Sequence, residues 1–217
     1  YRMYQLVELA VHRMIPPLPV FFFAVAAALA VFSYLYSAKS ANMMHALPVN
    51  RLELYVTNYL SGLIFLIVPE IITFFITVLV CLANQFTCIQ YLFAALLAQA
   101  GVTFFAYSLA GFVAMFTGQA FAMPCYYVIV NYLYVGCMFI VAKVIETISY
   151  GIENAWNPGK SCILSPLYYL NNNLRSSLIY TENGNGITGI KITGMPLTGI
   201  YAAAAVVLVV AAYQLYK

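Results

Sequence analysis

The chain has 217 residues with a formal charge of +3; 65% are hydrophobic and only 7% are charged. A soluble domain carries about 25% charged residues to cover its surface, so this chain would leave large apolar patches facing water, and a bilayer is the solvent that fits it. The small, dispersed charge argues against a nucleic-acid surface, and the absence of any Asp excludes an Asp-dependent Walker B site, an Asp-containing triad and an EF-hand.

The chain begins at Tyr1, stops at Lys217 as an apolar segment ends, and shows no signal-peptide pattern. It is therefore expected to be truncated at both ends. After the breaker Pro16-Pro17, the first apolar run of spanning length covers about Leu18–Ser37. Four more follow at about Ser61–Ala83, Tyr91–Thr117, Ala120–Val144 and Leu197–Tyr216. About 20 apolar residues cross a hydrocarbon core, and unpaired backbone is not tolerated there, so these runs predict five transmembrane helices in an all-α integral membrane protein.

The connections differ in kind. Residues 84–90 form a short uncharged turn, and 117–119 form a tighter one that makes the flanking helices antiparallel neighbours. Residues 38–60 form a polar, amphipathic connector. Within it, Pro48 is suited to the first position of a helix. From there Leu52, Tyr55, Val56, Tyr59 and Leu63 recur at helical spacing, which predicts a short amphipathic helix at the membrane surface. Residues 145–196 form a long loop rich in Asn and Gly. Its Gly-rich part lacks the Lys-Ser/Thr of a phosphate loop and reads as turns or a hairpin, with Ile190-Lys191-Ile192 alternating between faces. Ile163–Tyr169 is apolar enough for a short interfacial helix. Basic density in the shorter connector, with Lys39 and Arg51, favours the 38–60 side as cytoplasmic.

Five cysteines are present: Cys81, Cys88, Cys125, Cys137 and Cys162. None forms CxxC, and His12 and His45 stand apart from them, so no zinc site is expected. Cys125 and Cys137 lie in apolar runs and read as buried. Cys88 and Cys162 fall in loops on one side, where pairing is one option. Glu70, after Pro69, sits near mid-depth of its span. A charge there costs about 2.5–3.5 kcal/mol on insertion scales and needs a partner, a proton or a water path, so Glu70 is the candidate for a substrate or proton path. Lys143 and Glu146, three apart, can pair on one helix face. The tyrosine clusters Tyr34/Tyr36, Tyr126/Tyr127 and Tyr168/Tyr169 suit interfacial belts.

The segment YLYSAKSANMMHALPVNRLELYVTNYLSG, residues 34–62, resembles the ABC-2 type permeases of Gram-positive bacteria. The resemblance rests on Lys39, Ser40, His45, Leu47, Pro48, Arg51, Asn58, Tyr59, Leu60 and Gly62. It implies a six-helix permease whose first helix is missing here, a connector that docks on a separate ATPase, and an external loop at 145–196. The ATPase-coupling residues it implies are His45, Leu47, Pro48, Arg51, Leu52, Glu53, Tyr55 and Asn58. It implies no catalytic site or cofactor in this chain, ATP and Mg held by the partner ATPase, a second permease copy or paralogue, and export across the bacterial cytoplasmic membrane. Glu70 departs from the common pattern and leaves the substrate open. A secondary transporter or channel using Glu70 is the alternative. The absence of an obvious internal repeat weighs against inverted-repeat carriers, and a membrane-embedded enzyme is disfavoured because chemistry-bearing residues are not clustered.

Overall fold

A computed structural model describes residues 8–12, 16–45, 49–84, 89–149, 162–180 and 187–216. Pro17 opens helix α1 (Pro17–Phe32), where its missing N–H costs nothing, and a 3-10 turn continues it over Ser33–Tyr36. Next come α2 (Ala38–His45), α3 (Arg51–Ala83), α4 (Ile89–Phe116) and α5 (Ala122–Ile148). The chain then forms α6 (Pro166–Asn173), strands β1 (Arg175–Tyr180) and β2 (Ile187–Thr193), and α7 (Met195–Tyr216). Five helices are long and apolar enough to cross a membrane: one running through α1 to Tyr36, then α3, α4, α5 and α7.

The spans fall where hydropathy places them, except that the first two begin early, the first at Glu8 instead of Leu18. The second begins ten residues early, because α3 runs unbroken for 33 residues from the Asn50 cap to Ala83. Among the described residues 49–60 there is no separate surface helix, because Arg51 onward belongs to α3. The short helix of the connector is α2, nearer the first span, while Leu47 and Pro48 lie outside the described residues. At 1.5 Å per residue α3 is about 50 Å long, well beyond the ~30 Å hydrocarbon core. Its polar first turns, with Arg51 and Glu53, therefore project past the apolar part.

The bundle is organised around α4, which packs against α1, α3, α5 and α7. In its most apolar stretch 61% of residues are buried, against 6% for α3 and 11% for α5. Small residues on α4 (Ala98, Ala106, Ala110, Ala114) are fully or almost fully buried and let neighbouring helices approach closely. On α5 the buried residues are only Met123, Tyr127, Asn131 and Ala142. Cys125 and Cys137 point outward and are exposed, contrary to their expected burial, because α5 is peripheral. Its outer face, like that of α3, carries exposed Ile, Val, Leu and Phe side chains, a surface suited to acyl chains.

At the end of the bundle opposite α2, the long loop folds back on the helices. Ser165, at the start of α6, accepts a hydrogen bond from the Val135 backbone N–H of α5 at 3.1 Å, and Tyr201 of α7 donates to the Ile163 carbonyl at 2.8 Å. β1 and β2 form an antiparallel hairpin with Leu178 opposite Ile190, so the architecture is an α-helical bundle with a small β appendage. Ile190 is buried and Lys191 exposed, as their alternation predicts. The chain turns from β2 into α7 at Gly194, whose φ of +95° is open to Gly and strained for other residues. Cys162 is fully buried; Cys88 lies outside the described residues. Lys143 and Glu146 pair at 2.6 Å on α5.

At Gly62, α3 comes close to both α4 and α1. A Cβ added at Gly62 would meet the Tyr107 ring carbon Cζ at 2.7 Å and Val31 Cγ2 at 2.9 Å, with the Tyr107 hydroxyl closer still. Gly62→Ala should lower stability in detergent by about 1–3 kcal/mol, the usual cost of overpacking. Adding Tyr107→Phe should recover part of that loss, since it removes the nearest atom; unfolding of the single and double variants measures both.

Candidate functional site

Two groups of side chains stand out along the α3–α4 seam. The first is an aromatic cluster at the connector end. Tyr55 is its hub: its ring lies 6.4 Å from Phe32, 6.0 Å from Tyr59, 5.8 Å from Tyr213 and 5.5 Å from Tyr216. It thereby joins α1, α3 and α7. The Tyr55 hydroxyl donates to the Val209 carbonyl at 3.2 Å. Ser108 donates to the Phe104 carbonyl at 2.6 Å, which leaves its oxygen to accept from Tyr59 at 2.7 Å. Asn58 donates to the Tyr34 hydroxyl at 3.3 Å, and Tyr34 in turn donates to Tyr216 at 3.2 Å. These hydroxyls tie one helix to another, and burial in an apolar bundle makes an unmatched partner costly.

The connector residues divide accordingly. Tyr55 is buried and Asn58 faces inward, while Arg51, Leu52, Glu53 and Val56 are exposed. The packed stripe of α3 is Tyr55, Tyr59, Gly62 and Leu66, and Leu52 and Val56 lie off it. The reason is that α3 stands upright in the bundle, so its inner column faces α1, α4 and α7 instead of a membrane surface. Glu53, in the first turn where an acidic group suits the helix dipole, accepts from the Asn50 amide at 3.1 Å. His45 is the last residue of α2.

The second group surrounds Glu70. Thirteen residues, about 20 Å of helix, separate Glu70 from the end of α3 at Ala83. The Thr103 hydroxyl of α4 donates to its Oε1, which anchors one carboxyl oxygen. The other, Oε2, is buried with no hydrogen-bond partner, and so is Oε1 of Gln99, one turn along α4. Gln99 and Thr103 are 8% and 1% exposed, so both polar side chains sit inside the bundle. Pro69 adds a third feature. It has no N–H, so the carbonyl of Phe65, four residues earlier, loses the donor a regular helix supplies.

These residues line a cavity of about 490 Å³ between α1, α3 and α4. Pro19, Val20 and Phe23 form its α1 wall, Phe65, Leu66, Pro69, Glu70 and Thr73 its α3 wall, and Leu96, Gln99 and Thr103 its α4 wall. The volume falls in the range of small-molecule sites, which pair apolar walls with a few placed polar groups. Sequence reasoning reached Glu70 but not Gln99 or Thr103. The signal for them was there: two polar residues four apart, hence on one face, in an otherwise apolar span. Among the described residues no cluster of His, Cys or Glu is arranged to hold a metal ion.

Thr103→Val would remove the donor on Glu70 and should cost about 1–3 kcal/mol of stability, the penalty for leaving a buried acceptor unmatched. Glu70→Gln keeps an oxygen for Thr103 and should stay near the parent. Unfolding midpoints of the two single variants and the double variant check both statements. No family model, no curated protein and no solved structure matches this chain.

Proposed function

We propose that this chain is the permease subunit of an ATP-driven exporter in a bacterial cytoplasmic membrane. In this reading ATP and Mg are bound by a separate ATPase, and two permease copies or paralogues form the translocation unit. The observation that carries it is the continuity of α3. One 33-residue helix bears exposed Arg51 and Glu53 at one end and Glu70 at mid-depth. A partner that pushes on the first turns moves the cavity wall with them, since the helix is continuous to Glu70 and lacks only the one hydrogen bond that Pro69 removes. The aromatic cluster around Tyr55 then acts as the pivot, and the α3 wall of the cavity shifts against α1 and α4.

The resemblance in residues 34–62 points to the same partner. Arg51 and Glu53 supply the polar contacts to it, with Leu52 and Val56 beside them. In this arrangement Tyr55 holds the docking end to the bundle and does not itself touch the ATPase. A second reading is favoured by one feature, the buried carboxyl of Glu70 with an unmatched oxygen. There the chain is a secondary transporter in which Glu70 carries ion coupling.

Purification of the protein from its native membrane in mild detergent separates the two. The permease reading expects a stoichiometric P-loop ATPase to accompany the chain, and Arg51→Glu to release it or to abolish coupling of ATP hydrolysis to transport. Transport that persists without an ATPase and follows membrane potential would instead establish the second reading.

A further inference from the structure

The cavity beside Glu70 has an unusual polar inventory. Two acceptors on its lining residues lack donors, Glu70 Oε2 and Gln99 Oε1, both buried, and the Gln99 amide nitrogen lies beside them as a donor. The Phe65 carbonyl on the same wall has lost its helical donor to Pro69. Thr103 is committed to Glu70 Oε1, and Thr73 donates to the Pro69 carbonyl at 2.8 Å, so neither hydroxyl proton serves these atoms. Among the described residues no Lys, Arg or His lines the cavity. The rest of the wall is apolar, with Phe23 and Phe65 largely exposed at its edge.

We propose that this cavity binds a primary ammonium group carried on an apolar body. The proposal rests on the reading of the cavity as part of a translocation path, though not on how transport is powered. An ammonium has three N–H donors and no acceptor, which matches a carboxylate, an amide oxygen and a main-chain carbonyl. Its charge also answers that of the carboxylate, which is costly to leave uncompensated in an apolar wall. Side-chain rotation of Glu70 about its Thr103 anchor turns Oε2 from the wall toward the ligand. Other ligands fit worse. An anion would meet a carboxylate and, among the described residues, no cation. An acyl chain would leave every acceptor unmatched. A bare metal ion would find too few oxygens for its shell in a space of about 490 Å³. The aromatic rings at the edge supply further attraction for a cation.

The test is equilibrium binding of a dansyl-labelled alkyl primary amine to the purified protein in detergent, read by fluorescence and by competition with unlabelled amine. Its N-acetyl derivative, without charge, and its trimethylammonium derivative, without N–H donors, are the comparisons. The expected result is that the primary amine binds at least about tenfold more tightly than either. Glu70→Gln should erase that preference and Gln99→Leu should weaken it, with size-exclusion profiles matched to the parent. Should Glu70→Gln not fold, Gln99→Leu and the three-ligand comparison decide alone. Equal binding of the three probes, or a preference untouched by the variants, would overturn the proposal. Selective amine binding without amine uptake into vesicles would uphold the site and remove the path reading. Transport of another substrate with no amine preference would overturn the proposal and leave the path reading standing.

Discussion

The close approach of α3 to α4 is the constraint on which the rest of the molecule depends. Tyr107 lies against the backbone of Gly62, and this one contact sets the separation of two antiparallel helices. The seam on either side follows from it. Toward the connector, Tyr59 reaches Ser108 and Tyr55 gathers α1 and α7. Toward the other end, Thr103 meets Glu70 and Phe74 meets Phe93 edge-on, ring centres 6.5 Å apart. A larger side chain at residue 62 would pry open the three rungs that span α3 and α4, Tyr59–Ser108, Glu70–Thr103 and Phe74–Phe93.

In lipid there is no water to match a polar group, so hydrogen bonds between helices carry weight that hydrophobic contact cannot. This chain meets the need largely with tyrosine. Hydroxyls of Tyr36, Tyr55 and Tyr127 donate to main-chain carbonyls of α4, α7 and α4 respectively. Such a bond needs no matching polar side chain and tolerates variation in the acceptor residue. Tyrosines expected to mark membrane interfaces thus turn out to bind helices together as well; Tyr126, exposed beside buried Tyr127, keeps the outward role.

Not every buried polar atom is matched: the Tyr107 hydroxyl, Asn131 Oδ1, Ser176 Oγ, Glu70 Oε2 and Gln99 Oε1 lack partners, and of these residues only Glu70 and Gln99 line the cavity. The same bundle that matches the Tyr59 and Ser108 hydroxyls leaves a carboxyl oxygen and an amide oxygen without donors, next to a proline that removes a third donor. Polar groups left unsatisfied in an apolar interior cost stability. In the proposed permease reading, the position of this site on α3 links it mechanically to the exposed first turns of that helix.

Composition and hydropathy alone determined the spanning class of this protein and the place of its five long helices, because a bilayer demands length and apolarity from each span independently of its neighbours. The same reading marked Glu70, since one carboxylate in an apolar run is conspicuous without any structure. Tertiary structure decided the rest. Periodicity showed Leu52, Tyr55, Val56 and Tyr59 on one face but not that α3 stands upright, so that Tyr55 and Tyr59 turn inward and Leu52 and Val56 do not. Nor did it show that Cys125 and Cys137 face outward, for an apolar helix carries no mark of its buried side when lipid and core are equally apolar. The meeting of Glu70 with Thr103 and Gln99 brings together residues about thirty positions apart, and only the packing of α3 on α4 makes them neighbours.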